Sequence, residues 1–461
     1  MRWVVLLFTS FPLNAAEQLS VGFGECDVTP ILGKKPVYLA GFTTDRTATK
    51  IHDPIMARAV VLNDGTKTIA MVSVDVIGLF LPVVERIRKE LKEFDYVLVS
   101  STHNHEGPDT LGLWGKTYLQ SGVDPEYLKR VEAGIVTAVR SAQKSLAPAT
   151  AKLGTDNAPQ LLHDARLPIV KHDELVAIQF ESPAGKIVGV LVQWNCHPET
   201  LDDKNREVSA DFVGFTVKHV QDRLSCPCVY FTGTVGGLMS SLKVPIRDDT
   251  GIELKDGTFE KTAAYGKAVG KLAEKALSKA EGAKLTPFEI RTCELLVPVE
   301  NGLYKIGGQL GVLQRPMYLW EGNPTPKEFL IEKDVKKSVG VKTEVGYLKL
   351  GSLDVALLPG EIYPELVVGG VPNPAEAGAD YPEAPIEPLI YAGLKNKHKL
   401  LIGLANDELG YFIPKRQWDV KPPYCYKLKD SQYGEINSCG PDAAKVICDA
   451  FRELAKQSRD R

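Results

Sequence analysis

The sequence predicts an α/β fold: mixed sheets flanked by helices, a single large catalytic domain, and a metal site at strand C-terminal ends. Three observations carry this expectation. Residues 69–76 and 96–101 are apolar, strand-like runs. Between them, residues 82–94 place Val84, Ile87, Leu91 and Phe94 on one face of an amphipathic helix. A strand–helix–strand unit with short connections makes the two strands parallel and the crossover right-handed. The pattern returns in the strand at 186–194, the helix at 210–224 and the strand at 229–232. Finally, the first unit ends in His103-Asn104-His105 and the strand at 186–194 ends in His197. Ligands of open α/β sheets gather at that carboxyl edge.

The remaining elements follow in order. Residues 258–280 form a long Ala- and Lys-rich helix. Strands at 345–350 and 353–358 flank Gly351-Ser352 as a hairpin, and the second runs into Pro359-Gly360-Glu361. Residues 400–405 are another apolar strand, leading through Asn406-Asp407-Glu408-Leu409-Gly410 to Tyr411. The chain closes on an amphipathic helix at 441–456. No internal repeat or long polar linker is visible in the sequence.

Length and composition set bounds. A chain of 461 residues with 44% hydrophobic and 25% charged residues has ample material for a buried core. A net charge of −3, with no basic block, argues against a nucleic-acid partner. The start, Met1-Arg2-Trp3-Val4-Val5-Leu6-Leu7-Phe8, with Ala15 and Ala16 beyond it, has the charge, apolar stretch and small residues of a secretory signal peptide. The expectation is a signal peptide over 1–16, a hydrolase domain over 17–461, and a secreted or periplasmic protein. No segment is long and apolar enough for a transmembrane span, and peripheral contact with a membrane is the expected association. Eight cysteines suit an exported protein, and Cys425 with Cys439 is the expected disulfide. Cys226-Pro-Cys228 lacks the CxxC redox spacing.

His103 and His105 are one residue apart, and in an extended segment residues i and i+2 share a face, so both can reach one ion. His197 supplies a third imidazole after another strand. Three imidazoles with an open position form a recurrent catalytic zinc arrangement, and such an ion suits amide or ester hydrolysis. Glu361 is a further ligand or orients water. Tyr411 ligates or stabilises an oxyanion. Glu106, directly after His105, is a candidate general base. His52, His163, His172, His219 and His398 have no spacing argument and are read as structural.

These residues resemble the catalytic domain of the neutral/alkaline (non-lysosomal) ceramidase family. The likeness runs through Gly22-Phe23-Gly24-Glu25-Cys26-Asp27-Val28-Thr29-Pro30, Ala40-Gly41-Phe42, Arg46, Ile51-His52-Asp53-Pro54 and Val72-Ser73-Val74-Asp75. Its most specific part is Thr102-His103-Asn104-His105-Glu106-Gly107-Pro108, similar to the family's T-H-x-H-x-G-P motif. Ser209-Ala210-Asp211, Pro359-Gly360-Glu361 and the segment from Gly403 to Tyr411 extend it. The resemblance implies a zinc shell of His103, His105, His197, Glu361 and Tyr411. It also implies a substrate-side arginine at Arg166.

Two departures accompany the likeness. The family's G-D-[VI]-S-P loop, which carries a catalytic serine, reads Gly233-Thr234-Val235-Gly236-Gly237 here, with glycine in the serine position. The family's immunoglobulin-like C-terminal domain also has no counterpart in the sequence. The expectation is therefore an exported, zinc-dependent, ceramidase-like hydrolase cleaving the amide of a small or lipid-like N-acyl substrate with a metal-activated water. Tyr411 or Arg166 would stabilise the oxyanion, and Glu106 or Glu361 would handle the proton. The alternatives are a metal-dependent ester or phosphoester hydrolase, and a non-catalytic lipid- or glycan-binding protein.

Overall fold

The structure, a computed structural model, describes residues 18–457. The expected signal peptide at 1–16 lies outside the described residues. Strands β1 (Ser20–Asp27), β2 (Met56–Asn63) and β3 (Thr68–Val74) run antiparallel. After helix α1 (Leu81–Glu90), β4 (Tyr96–Ser101) joins β3 in parallel. Helix α2 (Pro125–Lys144) then packs back over β1 and β2. Asp124 caps α2 by accepting from the Glu126 N–H, and Pro125 occupies its first turn, where no backbone donor is needed.

The same order recurs twice. Strands β5 (Thr150–Asn157), β6 (Glu174–Glu181) and β7 (Ile187–Trp194) are antiparallel. Helix α3 (Asp211–Leu224) leads to β8 (Cys228–Thr232), parallel to β7, and α4 (Phe259–Ser278) covers β5 and β6. In the last third, β9 (Phe288–Val299), β10 (Val339–Leu350) and β11 (Leu353–Leu357) are antiparallel. The short β12 (Glu361–Ile362) follows, and β13 (His398–Ile402) pairs in parallel with β11. Strand β14 (Tyr411–Phe412) pairs in parallel with β12, and helix α5 (Ala443–Lys456) packs on β9 and β10.

The three sheets form a prism with helices outside. Val60, Met71 and Leu98 of the first sheet meet Ile178, Leu191 and Phe231 of the second and Leu348, Val355 and Ile402 of the third in one shared core. The opposite faces pack on their own helices. In β2, Val60 and Leu62 face the shared core while Ala57, Ala59 and Val61 face the helices. Burial on both faces explains why these strands read as continuous apolar runs. At their carboxyl ends the fourth strands of the three sheets are laced together. Gly403 N–H donates to Thr232 O (2.9 Å), Thr232 Oγ1 to Thr102 O (2.7 Å), and Ser100 Oγ to Gly403 O (2.9 Å).

The expected α/β class and both strand–helix–strand units are present, with ends shifted by a few residues. The repetition is one of strand order, which the sequence does not display as a repeat. Helix α2 and strands β2, β5, β6 and β9 were not anticipated. The expected Cys425–Cys439 disulfide is not formed: both thiols are buried and free, as are Cys226 and Cys228. No helix among the described residues is long and apolar enough to cross a membrane.

The first and third sheets are also joined by a polar clasp. The Arg88 guanidinium of α1 donates to both Glu344 oxygens on β10 (3.0 and 2.8 Å), and Tyr96 Oη and Asn406 Nδ2 donate to the same carboxylate (2.8 and 3.0 Å). Removing one partner strands the others in a largely dry site. Glu344→Ala is expected to lower stability by about 2 kcal/mol. Urea unfolding measures this, and an unchanged midpoint contradicts the clasp.

Candidate metal centre

The site lies where the parallel strand pairs end. After β4 the chain leaves the ladder sharply: His103 takes a left-handed conformation, φ 67°, and the His103 and Asn104 N–H groups both donate to Val76 O at 3.1 Å. A β-carbon residue adopts this region only under local strain, which the two hydrogen bonds sustain. The sequence reading placed His103 and His105 on one face of an extended segment. The structure brings them together through this turn instead, with ring centroids 5.1 Å apart. The His105 N–H donates to Pro198 O (3.1 Å), tying this turn to the one after β7 that carries His197.

Two of the three imidazoles are oriented from behind by backbone carbonyls. His103 Nδ1 donates to Ile77 O (2.8 Å) and His197 Nδ1 to Met239 O (2.9 Å). Their Nε2 atoms then converge on one carboxylate oxygen, Glu361 Oε2, at 3.3 and 2.9 Å. His105 is buried with both ring nitrogens unpartnered, and Phe42 packs edge-on against its ring at 5.1 Å. Ligand atoms of the three histidines all lie within 4.8 Å of one another. Glu361 and Tyr411 are register partners in the β12–β14 ladder, which brings the two side chains to the same place.

The electrostatics suit a cation. Burial, then the neighbouring His103 and His197, depress His105 well below the usual histidine range, favouring the neutral ring that can ligate. Burial alone would raise the Glu361 carboxyl, but His103 and His197 hold it far below the carboxylate range. Burial and then Glu361 push the Tyr411 hydroxyl well above its ordinary value. Three imidazoles and a carboxylate, with neither ring nitrogen of His105 taken by a hydrogen bond, form a donor set that fits zinc.

Beside these groups lies a small, partly open cavity of about 80 Å³. His103, His105, Glu361 and Tyr411 stand on its wall, and Phe80, Leu111, Leu113, Leu313, Met317 and Val341 supply an apolar lining.

Two expected site residues are engaged elsewhere. Glu106 turns away from the histidines into a fully buried pair with Arg46 Nη1 (2.9 Å), and Asn205 Nδ2 donates to the same oxygen (2.7 Å). Burial, opposed by Arg46, pushes the Glu106 carboxyl up to about 8. Arg46 Nη2 donates to Ala40 O and His105 O, so this pair positions the His105 turn. Arg166 is equally committed: its fork holds both Glu435 oxygens (2.8 and 2.7 Å), Tyr433 O (2.7 Å) and Gln417 O (2.9 Å). It stands 5.5 Å from the Tyr363 ring, which itself packs on Tyr411, so Arg166 lies one ring behind the site.

Sequence reasoning missed Glu199, whose Oε2 is 3.7 Å from His105 Nδ1. Its signal was its position two residues past His197 in the same turn. It also missed Gly41, whose role depends on space rather than chemistry. The segment Gly233-Thr234-Val235-Gly236-Gly237 packs tightly behind the site: a Cβ on Gly236 would lie 2.5 Å from the Ile362 carbonyl carbon. Glycine in the serine position is therefore enforced by the backbone around it.

Comparison with known proteins agrees with the resemblance read from the sequence. Residues 19–166 match the profile of the neutral/alkaline non-lysosomal ceramidase, N-terminal family. Among solved structures, the chain is similar to the neutral ceramidase from Pseudomonas aeruginosa (TM-score 0.70, 17% identity, 96% of this chain and 75% of that one). It is likewise similar to a ceramidase complexed with C2 (TM-score 0.69, 16% identity, 96% and 76%). At these identities the likeness establishes a shared fold.

Gly41, at φ 103°, gives His105 its space, because a Cβ there would come within 2.4 Å of His105 Nδ1. Gly41→Ala is expected to displace the ring and weaken zinc binding about 10- to 100-fold without altering any ligand. Zinc titration of the chelated protein measures it, and unchanged affinity contradicts this role for Gly41.

Proposed function

We propose that the chain is a zinc-dependent amidohydrolase of the ceramidase type, cleaving the amide bond of an N-acyl, lipid-like substrate. The observation that carries this reading is the convergence of His103, His105, His197 and Glu361, with His103, His105 and Glu361 on the wall of a largely apolar cavity. A bound zinc ion would polarise the scissile carbonyl and lower the pKa of water to about 7. His103, His105 and His197 would hold it, with Glu361 and Tyr411 completing the donor set.

The chain's own groups supply the rest. The apolar lining from Phe80 to Val341 takes the acyl chain by burying it from water. Tyr411, register partner of Glu361 in the β12–β14 ladder, stands with it on the cavity wall. Glu106 is occupied by Arg46 and Asn205, and Glu361, held far below the carboxylate range by His103 and His197, serves as a ligand. Arg166 and Glu106 act as positioning residues, one behind Tyr363 and Tyr411, the other behind the His105 turn. No serine nucleophile enters, in keeping with Gly236.

The family profile over 19–166 and the shared fold with a neutral ceramidase support the amide as the bond cut. The leader-like segment at 1–16 supports export to the periplasm or the medium, and mass spectrometry of the mature N-terminus tests it.

His103→Ala is expected to empty the site of zinc and to reduce hydrolysis of an N-acyl amide more than about 100-fold, since loss of a direct ligand exceeds loss of a supporting contact. Metal analysis and turnover are measured on the same preparation. Full turnover without metal would sink the mechanism, and a preference for esters or phosphoesters in a matched substrate panel would replace the amide.

A further inference from the structure

In each of the three sheets a helix ends over the first strand. Helix α2 ends over β1, where a Cβ on Gly22 would collide with Ala142 O, and α4 ends over β5, where a Cβ on Gly154 would collide with Ala276 O. Helix α5 ends over β9 in the same way: Arg291 Nη1 donates to Leu454 O at 3.2 Å. Each of these carbonyls stands two residues before the last helical residue, which is Lys144, Ser278 and Lys456 in turn.

The chain beyond the helix is also alike in the first two sheets. Three residues past the end of α2 begins Ala147–Pro148, which pairs antiparallel with the outer edge of β1. Three residues past the end of α4 begins Glu281–Ala283, which pairs antiparallel with the outer edge of β5. The matching edge of β9 is bare over its middle. Phe288 N–H donates away from β10 to Asp64 Oδ2, and Leu296 N–H to Pro324 O, both at 2.7 Å. Alternate residues of an antiparallel strand direct N–H and C=O to the same side, so Ile290, Thr292 and Glu294 face outward as well. Among the described residues no strand pairs with that edge, and Thr292 and Glu294 are exposed. A long bare edge is a template for another strand.

We propose that the edge of β9 is a docking site for the segment that follows α5, residues 458–461, which adds to it as a short antiparallel strand. Residues 458–461 lie outside the described residues; helix-to-strand spacing, the bare edge and charge assign them to it. Three residues past Lys456 is Arg459, so Arg459-Asp460-Arg461 is the counterpart of Ala147–Pro148 and Glu281–Ala283. The segment brings two arginines to a strand that carries Glu289 and Glu294 on its partly exposed stretch. Closing the edge this way also blocks its pairing with other chains.

Hydrogen exchange read by mass spectrometry on the stretch 289–295 tests the docking, in the full chain and in a chain ending at Gln457. At least one of the outward amides of Ile290 and Thr292 is expected to exchange about 10-fold or more slowly in the full chain, while β2 and β3 exchange alike in both. Arg459→Pro combined with Asp460→Pro keeps the length and removes an inward-facing donor in either register, so it is expected to match the shortened chain. Equal exchange over 289–295 in the full and shortened chains overturns the proposal, and so does a proline variant that exchanges like the wild type. Protection that survives the shortening and rises with protein concentration, alongside a dimer in sedimentation, gives the edge to a second copy and overturns it too. If the shortened chain does not fold, the proline variant decides alone.

Discussion

The structure depends on holding three imidazoles and a carboxylate together out of water. His103, His105, His197 and Glu361 are each at least nine-tenths buried. Leaving such groups unsatisfied costs about 1–3 kcal/mol apiece. The scaffold must therefore be stiff where they meet. That stiffness comes from the lacing of Ser100, Thr102, Thr232 and Gly403, which fastens the fourth strands of all three sheets at the level from which the ligands emerge.

The prism turns this lacing into a site. Each sheet contributes a parallel pair, and the segments after those pairs meet over the shared core. The first brings His103 and His105, the second His197 and the Met239 carbonyl that orients it, the third Glu361 and Tyr411. Beyond them stand the groups that set their positions: Ile77 O behind His103, the Arg46–Glu106 pair behind His105, and the Arg166–Glu435 pair behind Tyr363. Supporting contacts of this kind fix ring orientation and ligand strength.

Much of this was legible in the sequence, and for a physical reason. His103, His105, His197, Glu361 and Tyr411 each follow an apolar strand-like run, and strand ends are where open α/β sheets place ligands. What escaped depends on contacts across long stretches of chain. Glu106 reads as a base beside His105 until Arg46 and Asn205 are seen to hold it. Arg166 reads as substrate-facing until Glu435, far along the chain, occupies its fork. The convergence of His103 and His105 looked like strand alternation but arises from a left-handed turn, which no periodicity reveals. The threefold strand order is invisible because pairing geometry recurs without recurrence of residues. Cys425 and Cys439 suggested a disulfide by spacing alone, and spacing carries no information about direction.

Three imidazoles converge beside a largely apolar cavity, and the proposed function puts one zinc ion among them. Zinc-edge X-ray absorption of the purified chain tests it most directly. The account predicts about one zinc per chain, with a nitrogen and oxygen shell near 2.0–2.1 Å and the multiple-scattering pattern of three imidazoles. A shell containing sulfur, a pattern of one imidazole, or no stoichiometric zinc after zinc loading would contradict it.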